Sequence, residues 1–564
     1  MKSFISKLLK IIFIIAALVV LIHGMTPALY AHAEAVNSLQ DSEQSQVLAA
    51  VSPAGSRGEL WPEAVKVWKT GPVLGMDDQS PTTIPELVPG AARAPETIYQ
   101  TSESQGVKLS VPKNIIVVSK VIPDKVSFPL MISASEPGMS VEVNEINVMS
   151  GNQLLLKITA SPPVNTLDDK YFTGGQNIIP KNLSDINLAV PLTGLPVVQG
   201  QPLELVTTVK AVYKGQMVQL TVVGTLTIAS LPALKNWYCG DGHMHSNFYS
   251  PGSRVADDGL LPPADVIKTM STIGYQWVIM TAHKGAIDSQ TAWKNYWATC
   301  DKLQADCGMP VCPGIEISTN SNAHALAYGQ RPSKMPPHSQ SLSESQLLKA
   351  IAGQNPGISF GGQAHPSGYY FWKSWPSGSR LAELLSGETA ADCKNYQLWL
   401  DYLKRNLSNT LRTGVFCAGV GNSDFHTGKP VGCTWLYSTS YASNQRDPIW
   451  AALKAGRLSA SGRGDFGAFA VNGYMPGSVL RKPVSLTCTV IQQPISGAHC
   501  EAFVIRDANG ENIWQSPLHP PAATNIAIPL PAGDTFYHVY FIFSDDNSGE
   551  VKSDVITSPV FIDR

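Results

Sequence analysis

Between about residues 236 and 440 the sequence alternates strand-like and helical segments, and no other feature limits the fold as strongly. The strand-like runs are 275–280, 311–317, 358–360 and 415–418, and the helical stretches are 264–273, 343–352 and 395–406. Strand and helix in alternation predict a mostly parallel sheet, either open or closed into a barrel.

Histidines and acidic residues are concentrated at the ends of these strand-like runs. Seven of the ten histidines that follow residue 35 lie between positions 243 and 426. His283, Glu316 and His365 each end or follow one run, and Asp424 and His426 follow another. Functional residues of parallel α/β sheets collect at the carboxyl ends of the strands, so we expect these side chains to meet at one mouth.

The residue types in this set are those that bind divalent metal ions. His243 and His245 lie two positions apart on an extended segment, so both rings point to one face and can hold one ion. Imidazole and carboxylate donors together suit Zn, Mn or Fe. Two such ions bridged by a carboxylate activate a water and stabilise a displacement at phosphorus or carbonyl carbon. The sequence therefore predicts hydrolysis.

Five motifs resemble those of the PHP (polymerase and histidinol phosphatase) metallohydrolases. They are Gly240–Ser246, Met280–His283, Pro313–Glu316 with His324, Ala364–Pro366 and Gly421–Thr427. The tail, with Ala452–Arg457, Val471–Gly473, Pro476–Gly477 and Thr557–Phe561, is similar to the exported carbaryl-hydrolase (CehA/McbA-type) branch. The resemblance implies a distorted (β/α)7 barrel over residues 236–464.

The resemblance also implies which residues bind metal. One ion would take His243, His245, Glu316 and Asp424, and a second would share the bridging Glu316 with His324 and His365. The predicted catalytic residues are Glu316, Asp424, His426 and His283.

A third ion is doubtful on the same grounds. Three-metal members carry an aspartate five residues after the second histidine, where this chain has Ser250, and an acid at the position of Ala282. We therefore expect two tightly held ions. His283 and His426 would either bind a third ion weakly or contact the substrate and leaving group.

Four further residues are speculative substrate contacts, namely Lys284, Tyr369, Trp372 and Arg463. Tyr369 and Trp372 belong to an aromatic run that follows His365 and offers ring faces to a small-molecule substrate. Packing of these rings against the body of the protein explains the run equally well. Lone cations such as Lys284 are also more often solvated surface residues than ligands.

The flanks predict further domains, so the whole chain reads as multi-domain α/β plus all-β. Residues 1–35 combine early lysines, the apolar run 11–22 and small-residue sites at Ala33 and Ala35, which is typical of a cleaved secretory signal peptide. The apolar run is shorter than the roughly 20 residues of a membrane anchor, so we expect export and no later membrane span. Residues 36–95 read as a loosely ordered lead-in, 96–235 as a β-sandwich and 465–564 as a small C-terminal β domain.

Composition excludes one class of partner and leaves three functions open. The net charge is −2, charged residues make up 15% of the chain, and no basic block follows the signal, so nucleic acid is not expected as a partner. The favoured function is hydrolysis of an ester, amide or carbamate. The alternatives are a phosphoesterase, which needs cations around the metals, and a non-catalytic binding protein on a degenerate metal site.

Overall fold

A computed structural model describes most of the chain after residue 98. The described residues are 73–74, 99–136, 141–165, 186–251, 253–337, 341–366, 372, 375, 378–385, 389–426, 432–546 and 552–564. The predicted signal peptide and nearly all of the lead-in lie outside them. Within the described residues, no helix has the length and apolar character needed to cross a membrane.

Residues 99–229 form two β-sheets around one apolar core. After the two-residue strand β1 (Val73–Leu74), the strands are β2 (Tyr99–Ser104), β3 (Val107–Pro112), β4 (Asn114–Val118), β5 (Lys125–Ala134), β6 (Glu142–Ser150), β7 (Gln153–Asn165), β8 (Ile186–Pro191), β9 (Pro202–Tyr213) and β10 (Gln216–Ala229). One sheet has the order β2-β3-β5-β8 and the other β4-β10-β9-β6-β7. Val107 and Phe128 of the first sheet share a buried core with Ile146 and Val209 of the second.

The largest sheet contains strands from the metal-motif region and from the end of the chain. Its members are β11 (Trp237–Met244), β12 (Trp277–Met280), β13 (Val311–Pro313), β19 (Cys433–Tyr437), β20 (Leu458–Ser461), β22 (Val479–Arg481), β24 (Ala498–Arg506), β25 (Asn512–Gln515), β27 (Thr535–Asp545), β28 (Lys552–Thr557) and β29 (Val560–Asp563). The main order is β13-β12-β11-β19-β20-β28-β27-β24-β25, and β29 joins β22 to β27. β11, β12 and β13 are parallel, whereas β19, β20, β28 and β27 pair antiparallel.

A second sheet carries the remaining metal motifs. It consists of β14 (Ile315–Ser318), β15 (His324–Tyr328), β16 (Phe360–Gln363), β17 (Ser379–Leu385) and β18 (Ala418–Gly421), in that order. The first three strands are antiparallel and the last three parallel. Three more strands, β21 (Phe466–Val471), β23 (Leu486–Gln493) and β26 (Ala523–Ile528), pair antiparallel elsewhere.

Six helices accompany these strands in the described residues. They are α1 (Pro263–Ile273), α2 (Gln290–Cys307), α3 (Glu344–Ala352), α4 (Thr389–Arg405), α5 (Leu407–Thr413) and α6 (Asp447–Ala455). The helices predicted at 264–273 and 343–352 are confirmed as α1 and α3. Ser343 caps α3 by accepting a hydrogen bond from the Gln346 backbone nitrogen.

The predicted α/β class with a (β/α)7 barrel over residues 236–464 is wrong, because strands far outnumber the six helices of the described residues. The strands of this region divide between two sheets, and strands on both sides of residue 464 share the larger one. The physical reason lies in the connections. Only five residues join β14 to β15, whereas a parallel crossover needs a dozen or more, so β15 must return antiparallel. Alternating segment types do not reveal strand direction.

A buried polar network joins α4 to the C-terminal strands. The Tyr396 hydroxyl lies 2.7 Å from Nε2 of His538, and the Arg506 guanidinium donates to the same hydroxyl at 3.1 Å. His538 is fully buried. Burial, with a smaller contribution from Arg506, lowers the pKa of His538 to about 3. The imidazole is therefore neutral in the folded protein over the whole neutral and mildly acidic range.

This lowered pKa predicts acid-dependent stability. Below pH 6.5 an unfolded histidine gains a proton that folded His538 cannot accept, so the free energy of unfolding falls by up to about 1.4 kcal/mol per pH unit. His538→Gln removes that dependence. The stability advantage of the wild type over this variant should therefore shrink by about 2 kcal/mol between pH 7 and pH 5, measured by denaturant unfolding.

A matched variant tests the cause. Tyr396→Phe removes the hydroxyl but keeps the buried imidazole, so its stability should fall with pH as the wild type's does. If the wild type exceeds His538→Gln in free energy of unfolding by the same amount at pH 7 and pH 5, the lowered pKa of His538 is wrong.

Candidate metal centre

Glu316, on β14, is the common neighbour of the predicted metal ligands. Its carboxylate is buried, and both oxygens face imidazole nitrogens. Oε1 lies 2.6 Å from Nδ1 of His324 and 3.2 Å from Nε2 of His365. Oε2 lies 3.4, 3.2 and 3.0 Å from the Nε2 atoms of His243, His245 and His283. The structure thus brings all five of these histidines around one carboxylate.

The first donor set consists of His243, His245, Glu316 and Asp424, whose ligand atoms lie within 4.8 Å of one another. β11 carries His243, His245 follows its last residue, and Asp424 follows β18. The two segments are tied together because the His245 backbone nitrogen donates to the Phe425 carbonyl at 2.8 Å. Asp424 has a left-handed backbone with φ of 47°, a conformation that non-glycine residues adopt mainly at functional or strained sites.

Each histidine of this set uses one ring nitrogen for a hydrogen bond to an outer carboxylate. The other ring nitrogen faces Glu316 and Asp424. Nδ1 of His243 donates to Glu383 at 2.7 Å, and Nδ1 of His245 donates to Asp257 at 3.4 Å. A carboxylate only accepts, so each ring keeps its proton on Nδ1, and Nε2 is the atom that either a second proton or a metal ion would occupy. These atoms lie 3.1 Å apart, and Oδ1 of Asp424 is 3.1 and 3.3 Å from them.

This arrangement of acceptors fits a cation. Oδ1 of Asp424 is buried and has no hydrogen-bond partner among the described residues. Lone pairs that face one another in a buried site repel unless a positive charge lies between them, and buried polar atoms rarely lack partners. His243, His245, Glu316 and Asp424 would hold a divalent ion here, with the outer carboxylates orienting the rings.

The second donor set surrounds the other side of Glu316. His283, Glu316 and His324 offer ligand atoms within 4.8 Å of one another. The ring of His365 also reaches Glu316 Oε1, and its centroid lies 5.0 Å from that of His324. The resemblance placed His324 and His365 here, and the structure adds His283 through Nε2.

A loop after β11 brings two acidic residues that the sequence analysis did not predict. Asp257 and Asp258 approach the centre because Gly259 lies against the His245–Ser246 backbone. A Cβ at Gly259 would stand 2.4 Å from the Ser246 nitrogen, so only glycine allows this approach. The sequence Asp-Asp-Gly could have pointed to these two acids. The loop is too long, however, for the sequence to predict that it returns to the histidines.

Asp258 completes a third donor set with His245, His283 and His426. Its Oδ1 lies 3.1 Å from Nε2 of His426, 3.2 Å from Nδ1 of His283 and 3.7 Å from Nδ1 of His245. The acid missing at Ser250 is thus supplied eight residues later in the chain. Ser250 instead accepts a hydrogen bond from Asn295.

The electrostatics of the cluster favour ionised carboxylates with positive charge between them. Burial alone lowers the pKa of His245 and His283, but neighbouring carboxylates, Asp257 first, raise these values to about 10 and about 12. Burial raises the pKa of the Glu316 carboxyl, yet His243, His245 and His283 outweigh it and hold that pKa well below its usual range. Protons and divalent ions compete for such a site.

Two buried carboxylates behind the ligands also escaped prediction. Asp241 accepts hydrogen bonds from the backbone nitrogens of His243 and Ser423, which ties the first motif to the last. Burial raises the pKa of Asp241 to about 7. Glu383, in the middle of the apolar strand β17, lies against His243 and His365. An acidic residue inside an apolar strand is the signal that points to Glu383.

Three of the four speculative substrate contacts make polar contacts with other parts of the chain. Lys284 donates to the Ile287 carbonyl, and burial lowers its pKa to about 8. Arg463 pairs with Asp465 at 3.1 Å. The buried ring of Trp372 donates to the His324 carbonyl at 3.0 Å, which anchors a ligand strand. Tyr369 lies outside the described residues.

Solvent exposure differs across the described residues of the cluster. The side chains of His243, His245 and Glu316 are at most 1% exposed, whereas Asp258 is 60% exposed. His283, Asp424 and His426 are each about one third exposed. Among these residues, the third donor set, His245 apart, is therefore more exposed than His243, His245 and Glu316.

Comparisons with protein families and with curated proteins find no match. Among solved structures, a calcium-binding mutant of Bacteroides uniformis β-glucuronidase 2 overlaps 81% of this chain at 8% identity, with a TM-score of 0.16. Parabacteroides merdae β-glucuronidase with glycerol in its active site overlaps 83% at 9% identity and 0.15. Escherichia coli α-2-macroglobulin activated by porcine elastase overlaps 84% at 6% identity and 0.13. The chain spans 61%, 63% and 35% of these proteins. Such low scores establish neither a shared fold nor a shared activity.

The third donor set predicts a change in metal binding on loss of Asp258. Asp258→Asn should weaken one bound ion by more than the roughly 10- to 100-fold that loss of an outer partner causes, because it removes a ligand charge. The ions at Glu316 should remain. Titration of metal-free protein against a chromophoric chelator measures this.

Asp265→Asn is the matched control, since Asp265 lies exposed on α1. Unchanged affinity for every ion in Asp258→Asn would remove Asp258 from the site.

Proposed function

We propose that this chain is an exported metal-dependent hydrolase that cleaves an ester, amide or carbamate bond in a small molecule. The observation that carries the proposal is the convergence of five imidazoles on Glu316, with Asp424 opposite. The PHP-like motifs supply these same residues, which supports the resemblance in chemistry although the predicted barrel is wrong. Divalent ions bound here would lower the pKa of a coordinated water to near neutrality.

The residues of the chain have separate roles in this proposal. Glu316 would bridge the first two ions, because each of its oxygens faces a different group of rings. Asp257 fixes the orientation of His245 and His283 through Oδ1. His283 and His426, on the open side, are placed to contact the substrate or its leaving group as well as an ion.

The balance of charge supports an uncharged scissile group. Six carboxyl groups lie in or directly behind the cluster: Asp241, Asp257, Asp258, Glu316, Glu383 and Asp424. Asp241, with a pKa of about 7, is only partly ionised at neutral pH. Among the described residues, no lysine or arginine pairs with any of the six. Two divalent ions carry four positive charges and three carry six, so little positive charge is left over for a phosphate dianion, which needs surplus cations nearby.

Two chromogenic substrates test the bond class. Protein freed of metal and reloaded with Mn or Zn should hydrolyse an aryl ester or carbamate in preference to the corresponding aryl phosphate. Turnover of the phosphate alone would replace this bond class with phosphoester hydrolysis. Tight metal binding without turnover of either substrate would favour the alternative of a non-catalytic binding protein.

Loss of Glu316 should abolish metal retention and activity together. Glu316→Gln neutralises the carboxylate that both ion positions share, so activity should drop to background and at least two ions should be lost during gel filtration. Metal content by mass spectrometry and initial rates provide the measurements.

Glu344→Gln is the control, because Glu344 is also buried and accepts from Ser321 at 2.9 Å but lies outside the cluster. Full activity in a Glu316→Gln protein with retained ions would refute the proposed site.

A further inference from the structure

Glu383 is a charged side chain in the interior of an apolar strand. It lies on β17 between Ala382 and Leu384, both fully buried, and is itself fully buried. A carboxylate in such surroundings destabilises the fold unless it is hydrogen-bonded and its charge is compensated. The groups that contact this carboxylate therefore indicate its structural role.

Three donors converge on the two oxygens of Glu383. Oε1 accepts from Nδ1 of His243 at 2.7 Å and from Nδ2 of Asn422 at 3.0 Å. Oε2 accepts from the backbone nitrogen of His365 at 2.6 Å. Asn422 in turn accepts from the Gly242 backbone nitrogen at 2.9 Å, next to His243. Glu383 thus connects segments from β11, β16 and β18.

The His365 contact holds a backbone that histidine rarely adopts. His365 has φ of 27°, in the left-handed region where a non-glycine residue is strained. That conformation turns its ring so that Nε2 reaches Glu316. The hydrogen bond from its nitrogen to Glu383 stabilises the turn.

We infer that Glu383 is a positioning residue that couples the two ion positions, an inference that rests on the proposed metal-dependent function. Through Oε1 it fixes the tautomer and angle of His243, a ligand of the first donor set. Through Oε2 it fixes the backbone of His365, whose ring faces the other oxygen of Glu316. Orientation at both positions depends on this one carboxylate.

Glutamine cannot replace Glu383 despite its equal size. All three partners are donors, whereas a glutamine side chain accepts on one side and donates on the other. With its carbonyl toward His243 and Asn422, its amide would face the His365 N–H. In the opposite orientation, its carbonyl would accept from the His365 N–H, but its NH2 group would face the donors of His243 and Asn422. Either orientation loses the contact to one ion position.

The experiment compares metal-free wild type with Glu383→Gln. Chelator competition with Zn should show at least one ion bound about 10- to 100-fold more weakly in the variant. The visible absorption of Co-loaded protein should also change, because ligand angles shift, and a merely structural role would leave it unaltered. Circular dichroism of the metal-free proteins checks that both are folded.

Two further variants make the result specific. Asp465→Asn neutralises another buried carboxylate, which accepts from the Ile495 nitrogen, and should leave affinity and spectrum unchanged. Glu383→Asp keeps the charge but is one methylene shorter, so it should weaken binding less than Glu383→Gln. It takes over as the test variant if the glutamine protein does not fold.

The outcomes separate this inference from the proposed function. Failure of the wild type to bind Zn or Co overturns the metal-dependent function itself. If the wild type binds metal tightly and the folded Glu383 variants have the same affinities and the same Co spectrum, only the positioning role is overturned. An equal loss in Asp465→Asn also overturns it, because the effect would then be general.

Discussion

The structure depends most on one electrostatic constraint, the burial of carboxylates and imidazoles that face each other at short distance. Glu316 and Asp424 meet the Nε2 atoms of His243 and His245 at 3.1 to 3.4 Å, and outer carboxylates hold those rings with Nε2 inward. Such a group is unfavourable without positive charge, since burial weakens the solvation that would otherwise screen it. Protons on the rings provide that charge in the absence of metal, and divalent cations would replace them.

The backbone holds these groups together without a closed barrel. The ends of β11 and β12 belong to one sheet, while β14, β15, β16 and β18 belong to another. Single bridges join the sheets where the ligands lie, Met244 to Phe425 and His283 to Glu316. Strand ends therefore converge on one mouth, although several neighbouring strands run antiparallel. The convergence follows from these local bridges rather than from uniform strand direction.

This distinction explains what the sequence could and could not predict. His243, Glu316 and Asp424 were accessible because residue type and position at a strand end are both visible in the sequence. The barrel was not, because the five-residue link after Ser318 enforces a hairpin that segment alternation alone does not reveal. Asp258 depends on the return path of a loop, and that path depends on the close approach of Gly259 to the His245 backbone. The number of residues between the histidine motif and Asp258 cannot predict this contact between loop and backbone.

The outer carboxylates give the site its asymmetry. Glu383 and Asp257 lie behind the rings and are shielded from solvent, whereas Asp258 lies at the open side and is mostly exposed. An exposed carboxylate exchanges with water and ions more easily than a buried one, because solvent stabilises it when no ion is bound. The ion nearest the mouth should therefore be the most weakly held and the most accessible to substrate. The ions at Glu316, next to the fully buried rings of His243 and His245, would then serve as the fixed part of the centre.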